Sequence, residues 1–350
     1  MSKFCILGDT HIGARNDLPL FHRHFEKFYD MMIANLVEQK ITDIFQLGDL
    51  FDRRKYINFM TLKQAKRYLF DKLQQNGITL HTLVGNHDIY LRDSIDVNAQ
   101  SLVLGEYTNV KIYDKPTTYR FGNTTIDIIP WICKDNEKQV AEFISNSKSD
   151  ICLGHFEIAG FAMYRGMESH EGLSTDMFAK YEHVFSGHYH TRSRKENITY
   201  VGTPYQLTWQ DYNDPKGYHI FSTEDRSIQF WQNPYTLFTR IEYDDTKELQ
   251  DLDALDLTDI FVKLVVINKT DLYKFDQYVN KLYNKHCYEI KIVEDMSEFS
   301  TGDVDEQIDL EDTIDVLSHY IDSIETDADK TKIKMFMKSL YIEAINTEVV

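Results

Sequence analysis

Five short apolar runs in the first 190 residues each lead into a glycine and then a ligand-type polar residue, and this repetition constrains the fold more than any other feature. Phe4–Leu7 leads into Gly8-Asp9-Thr10-His11, Ile44–Leu47 into Gly48-Asp49-Leu50-Phe51-Asp52-Arg53, and Leu80–Val84 into Gly85-Asn86-His87-Asp88. Ile151–Leu153 is followed by Gly154-His155, and Val184–Phe185 shortly by Gly187-His188-Tyr189-His190. Apolar runs of this length bounded by glycine read as buried strands. Five strands that each deliver such side chains at their ends call for a sheet whose rim gathers them. Glycine ahead of each polar residue lets the backbone turn away sharply.

Helical patterns lie between the early strands. Phe21, Phe25, Phe28, Met32 and Leu36 fall on one helix face. Leu62, Ala65, Leu69 and Leu73 do the same within Asn58–Asn76, where Gly77 is placed to end the helix. Strands then dominate from Lys111 to Trp231. This is a layered α/β body. After an aromatic and acidic stretch from Tyr235 to Asp259, Ile260–Ile267, Lys274–Tyr283 and Tyr288–Val293 alternate strand, helix, strand. The predicted organisation is a body over 1–238, a small α/β cap over 239–293, an acidic linker over 294–308 and a helical region over 309–350.

The net charge of −18 would argue against a polyanionic partner if it were spread evenly. It is not. Ile241 to Val350 holds 27 acidic and 11 basic residues, which leaves 29 and 27 for the first 240. Between Ile292 and Asp329 there are 14 acidic residues and no Lys or Arg. The acidity belongs to the C-terminal third, and the body is near neutral.

Cys5, Cys133, Cys152 and Cys287 form no CxxC pair and are too sparse for a disulfide framework. The N-terminus enters a strand without an apolar leader, and no stretch approaches the ~18 apolar residues of a membrane span. The reading is a soluble cytosolic protein.

The five strand-end motifs offer carboxylate, amide and imidazole donors without thiolate, a mixture that suits Mn²⁺ or Fe, with Mg²⁺ or Zn²⁺ as further options. Gly-Asn-His-Asp alone occurs in roughly one in a thousand chains of this length on ordinary residue frequencies. A lone Gly-His carries almost no signal; its value here comes from order and position. His22, His24, His81, His170, His183, His219, His286 and His319 lie outside the motifs and read as ordinary core or surface residues.

In these ordered motifs, Asp9 to His190, the chain resembles the calcineurin-like metallophosphoesterases, and among them the SbcD-type double-strand-break repair nucleases. The resemblance implies a four-layer αββα sandwich with a small α/β cap and a C-terminal helical partner-binding region. It implies a centre of two divalent metal ions, Mn²⁺ foremost, bridged by Asp49. Asp9, His11 and His190 would complete one metal site, and Asn86, His155 and His188 the other. Two cations roughly 3.5–4 Å apart activate the attacking water and neutralise charge in an in-line displacement. His87 would stabilise the transition state and protonate the leaving oxygen, with Asp52 pairing to it and fixing its tautomer. Cellular members of this branch often carry histidine where Asp52 stands.

Basic residues follow the motif strands: Arg15, then Arg53, Arg54 and Lys55, then Arg92, Arg165, and finally Arg192, Arg194 and Lys195. On a shared rim they would form a surface for the DNA backbone, with salt-sensitive binding and no sequence readout. The resemblance also implies an SMC-like coiled-coil ATPase docking at the C-terminal helices, for which Ile333, Phe336, Met337 and Leu340 are candidates, and a homodimer. The expected function is a metal-dependent DNA exonuclease or endonuclease subunit of a recombination and repair complex. A metallophosphatase or cyclic-nucleotide phosphodiesterase for a small substrate is the alternative. A non-catalytic scaffold is a third class, disfavoured because every donor is intact.

Overall fold

The computed structural model describes residues 2–164, 167–169 and 172–294, together with Ile321, Lys330, residues 332–334 and Met337. Two units divide the chain, Met1–Asp295 and Met296–Val350. The second is described only at those six tail residues, all helical.

Two six-stranded sheets form the body. The first runs in the order Ile228–Gln232, Gly217–Ser222, Lys3–Leu7, Asp43–Gln46, Thr79–Leu83, Val110–Tyr113. Its last four strands are mutually parallel, and the antiparallel pair Gly217–Ser222 and Ile228–Gln232 closes the other edge. The second runs Ser193–Lys195, Ile198–Tyr200, His183–Gly187, Ile151–His155, Thr124–Ile129, Thr117–Phe121. Its four inner strands are again parallel.

Strand periodicity divides the core into layers. Phe4 and Ile6 meet Phe45, Leu83, Ile126, Ile128, Leu153 and Phe185 between the sheets. Cys5 and Leu7, pointing the other way, pack with Phe25, Phe28, Met32 and Leu36 of the helix Pro19–Glu38. Beneath the second sheet, Cys152 and Val184 pack on Val140 and Ile144 of the helix Glu137–Asn146. The layers are helix, sheet, sheet, helix, the expected αββα order. The aromatic helix face is therefore buried in the chain's own core.

The second helical pattern begins at Asn58, whose side chain caps Met60 N, and continues as Phe59–Ala65, a π turn over Lys66–Phe70 and Asp71–Gln75. Gly77 ends it at φ +65°, with Ile78 N bonded to Leu73 O at 2.9 Å. The π turn is a departure from the regular helix that the spacing predicts. Next to the body, Phe238–Asp244, Phe261–Asn268 and Glu289–Val293 form a parallel sheet with the helix Leu272–Tyr283 over it and a core of its own. Its first strand falls where the sequence shows only aromatic and acidic clustering. Phe238 and Phe261 reach into the body core, and Arg23 forms a two-pronged ion pair with Asp259.

All four cysteines are unpaired thiols. Among the described residues no helix is long and apolar enough to cross a membrane.

Candidate metal centre

Because the strands ending at Leu7, Gln46 and Leu83 are parallel, as are those ending at His155 and Gly187, the five motifs emerge on the rims of the two packed sheets. Contact between loops from both sheets brings the rims together. Asp9 accepts the His188 N–H at 3.0 Å, and His155 Nδ1 donates to Leu47 O at 2.7 Å. Such approach leaves no room for side chains at two glycines. A Cβ on Gly85 would lie 2.2 Å from Asp49 Oδ1, and one on Gly187 would lie 2.4 Å from Leu47 O.

Backbone strain concentrates here as well. His11, Asp49 and His188 hold φ of +40°, +51° and +85°, a region that side-chain-bearing residues enter at a cost. Asp88 supports the strained loops. Fully buried, its carboxylate accepts N–H groups from Leu50 at 3.0 Å, Phe51 at 3.2 Å and Gly85 at 2.9 Å, tying the second motif to the third.

The seven donor residues gather in two groups. Asp9, His11 and His190 form one and Asp49, His155 and His188 the other, each a set able to hold a cation. Asn86 joins the second group, its Oδ1 2.8 Å from His155 Nε2 and 3.1 Å from His188 Nδ1. Asp49 Oδ2 lies 3.3 Å from His155 Nε2 and 3.9 Å from His11 Nε2, so one carboxylate faces both groups. His11 Nε2 and His190 Nε2 approach to 3.0 Å. Two imidazole nitrogens at that separation can share one proton or one cation, but cannot each carry a proton. The residues present fit a pair of divalent ions of the oxygen- and nitrogen-seeking kind.

The electrostatics agree with the geometry. Burial alone would depress His11, yet the carboxylates of Asp52, Asp49 and Asp9 outweigh it and lift the ring to about 10. His155 is lifted to about 9 against its burial by Asp49 and Asp9. His188 is pushed down to about 3 by burial and by His155, and His190 falls for the same reasons, with His11 and Lys216 as the charged neighbours. Burial raises Asp9 to about 6, whereas His155 and His87 outweigh burial and hold Asp49 well below the usual carboxylate range. Asp49, facing both groups, is thus the carboxylate that stays ionised to the lower pH.

His87 and Asp52 meet differently from the expected carboxylate–imidazole dyad. His87 Nδ1 lies 2.7 Å from the main-chain oxygen of Asp52, while the Asp52 carboxylate lies 3.4 Å from His11 Nδ1. The turn after Asp49 directs the peptide carbonyl inward and the side chain toward the first motif. A carbonyl only accepts, so Nδ1 of His87 carries a proton. The tautomer is fixed, but by the backbone. His11 Nδ1 makes no hydrogen bond of good geometry, leaving the Asp52 carboxylate as its nearest charged neighbour.

The basic residues are less uniformly placed than the sequence suggests. Arg53 is held by Asp17 at 2.9 Å, by Tyr56 and by Asn16, and Arg15 donates to Leu207 O at 3.0 Å. Arg54 is half-buried, Lys55 and Arg92 are exposed, and Arg192 stacks over Phe230 at 3.8 Å. Arg194 and Lys195 do not extend the rim. Their strand pairs antiparallel to Ile198–Tyr200 with Lys195 opposite Ile198, so it carries them away from the motif ends. Arg165, Phe336 and Leu340 lie outside the described residues; Ile333 and Met337 are helical. His22, His24, His81 and His219 are buried away from the centre, as ordinary core residues.

Sequence reasoning missed the buried Lys216, which pairs with Asp211 at 2.7 Å and donates to His190 O at 2.8 Å. It also missed Tyr205, whose hydroxyl holds Thr10 O, and Trp131, beside His155 and His188.

The family model for calcineurin-like phosphoesterases matches residues 2–192. The chain belongs to that family. As a calcineurin-like phosphoesterase it is a phosphodiester hydrolase. It is 35% identical over 345 residues to exonuclease subunit 1 of Enterobacteria phage T4, covering 98% of this chain and 99% of the relative. A solved structure of GAP50, the anchor in the inner membrane complex of Plasmodium, aligns over 67% of this chain and 89% of its own at 15% identity. With a TM-score of 0.38 that likeness carries no argument for function or fold.

Proposed function

We propose that this phosphoesterase is a metal-dependent DNA exonuclease or endonuclease subunit of a recombination and repair complex. The observation that carries the reading is Asp49, one buried carboxylate facing two donor groups whose members come from five strand ends. Near full-length likeness to a phage exonuclease subunit supports DNA as the substrate. Asp9, His11 and His190 would hold one divalent ion and Asn86, His155 and His188 the other, with Asp49 common to both and Mn²⁺ the best match to the donors. When bound, the pair would polarise the phosphodiester and offset the charge that builds up during displacement.

The chain's own residues do the rest. His155 and His11 present Nε2 because Leu47 O and the Asp52 carboxylate engage or face their Nδ1 atoms. His87, half-buried beside His11 and with Nδ1 committed to a carbonyl, has Nε2 to stabilise or protonate the departing oxygen. The Asp88 carboxylate and strained backbone keep the loops in place, so little reorganisation accompanies reaction.

The rim cations Lys55, Arg92 and Arg192 are exposed and would meet the DNA backbone; Arg15, Arg53 and Arg54 would act from partly buried positions. The charge pattern favours an acidic segment after the cap, and an SMC-like coiled-coil ATPase would dock beyond it through Ile333, Phe336, Met337 and Leu340. The working form would be a homodimer in the cytoplasm. The test is incubation of linear duplex DNA with the protein and Mn²⁺, with and without the ATPase. DNA degradation that salt suppresses is expected; hydrolysis of small phosphoesters but never of DNA would move the substrate to that class.

A further inference from the structure

Trp131 follows the strand Thr124–Ile129, which is parallel to Ile151–His155 and so ends on the same rim as the motifs. Its ring centroid lies 5.2 Å from His188 and 5.8 Å from His155. Both backbone groups are fixed. Trp131 N donates to Val84 O at 2.7 Å, just ahead of Gly85 and Asn86, and Trp131 O accepts from the Asn136 side chain at 2.9 Å. The other tryptophans, Trp209 and Trp231, pack against the main core under the first sheet. Among the described residues Trp131 belongs to none of the four hydrophobic clusters, and its ring contacts are the two histidines. It remains half-buried, with part of its surface in solvent.

We propose that Trp131 is a stacking platform for the nucleobase of a nucleotide flanking the scissile phosphate, making it a specificity determinant of the same site. A rigid, partly exposed indole at the edge of a phosphate-binding centre suits this task. A nucleobase sits one sugar away from its phosphate, every base has a π face, and a fixed ring costs little ordering on binding. A packing residue would instead lie within a cluster. The inference rests on the nuclease reading, and its test separates the two.

Two short duplexes are compared, one with a normal terminal nucleotide at the cleaved end and one with a tetrahydrofuran abasic residue there. Wild type is expected to favour the normal end in kcat/KM by about tenfold, the scale of one base–aromatic stack. Trp131→Ala brings the ratio near one, and Trp131→Phe keeps most of it. In parallel, dAMP with Mn²⁺ should quench tryptophan fluorescence in wild type, deoxyribose 5-phosphate should not, and Trp131→Phe should remove the quench. An unchanged end preference in Trp131→Ala, or equal quenching by both phosphates, overturns the proposal. If wild type cuts neither duplex, the nuclease reading falls, while the mononucleotide quench still decides the stacking.

Discussion

Asp52 reaches two histidines with two different groups: its main-chain oxygen lies 2.7 Å from His87 Nδ1, and its carboxylate lies 3.4 Å from His11 Nδ1. The side chain therefore acts on the metal group of the first motif, and the backbone acts on the candidate proton donor. Asp52→Asn is expected to weaken one of the two Mn²⁺ sites by about 10–100-fold, as loss of a carboxylate behind a ligand histidine does. Calorimetric titration of Mn²⁺ checks this. Unaltered Mn²⁺ binding with lost turnover would restore a direct Asp52–His87 pairing.

Asp49 faces both groups, so its replacement should differ in kind from replacement of any other donor. Asp49→Asn is expected to lose both high-affinity ions, whereas His11→Ala and His155→Ala lose mainly one each. Elemental analysis after gel filtration counts them. Two ions retained by Asp49→Asn would show that the carboxylate is not shared.

Proton competition gives the centre a definite pH dependence. With folded values raised to about 10 and 9, His11 and His155 are protonated at neutral pH without a cation, so each ion must displace protons to bind. Affinity for Mn²⁺ should rise with pH from about 6 toward 9, and fall further below about 6 as Asp9 takes up its proton. Calorimetry in buffers of different ionisation enthalpy reads the released protons directly. Flat affinity across that range would contradict the assignment.

Asp88 holds three backbone donors in a dry setting. Asp88→Ala leaves them unpaired, at about 1–3 kcal/mol for each one that water cannot reach. Urea unfolding should show a loss of at least about 2 kcal/mol, and a change within the error of the fit would mean that the loops are held otherwise.

Much of this site was legible because its information is local. A strand, a glycine and a donor are adjacent in sequence, and parallel pairing alone places such ends together on a rim; the choice of Asp9, His11, Asp49, Asn86, His155, His188 and His190 among the rim residues is what the family resemblance implies. The Asp52 carboxylate was not legible, since its direction depends on the turn after Asp49 and on what the first motif offers across the rim. Arg53 looked like a free loop cation; its partners Asn16 and Asp17 sit 37 and 36 positions earlier, in a left-handed turn with φ near +56° to +60°. Arg194 and Lys195 were displaced by strand polarity, which charge counting does not see. Phe238–Asp244 was hidden because its strand carries Glu and Asp among its apolar residues. Lys216 and Trp131 act through contacts far apart in sequence, and no spacing announces them.

Two divalent ions and His87 are proposed to cleave DNA together. The direct measurement pairs Mn²⁺ stoichiometry with cleavage of linear duplex DNA for wild type and His87→Ala. Two ions per chain in both proteins, with cleavage in wild type and at least a hundredfold loss in the variant, is the predicted result. Equal cleavage by both proteins, or no cleavage by fully loaded wild type, would contradict it.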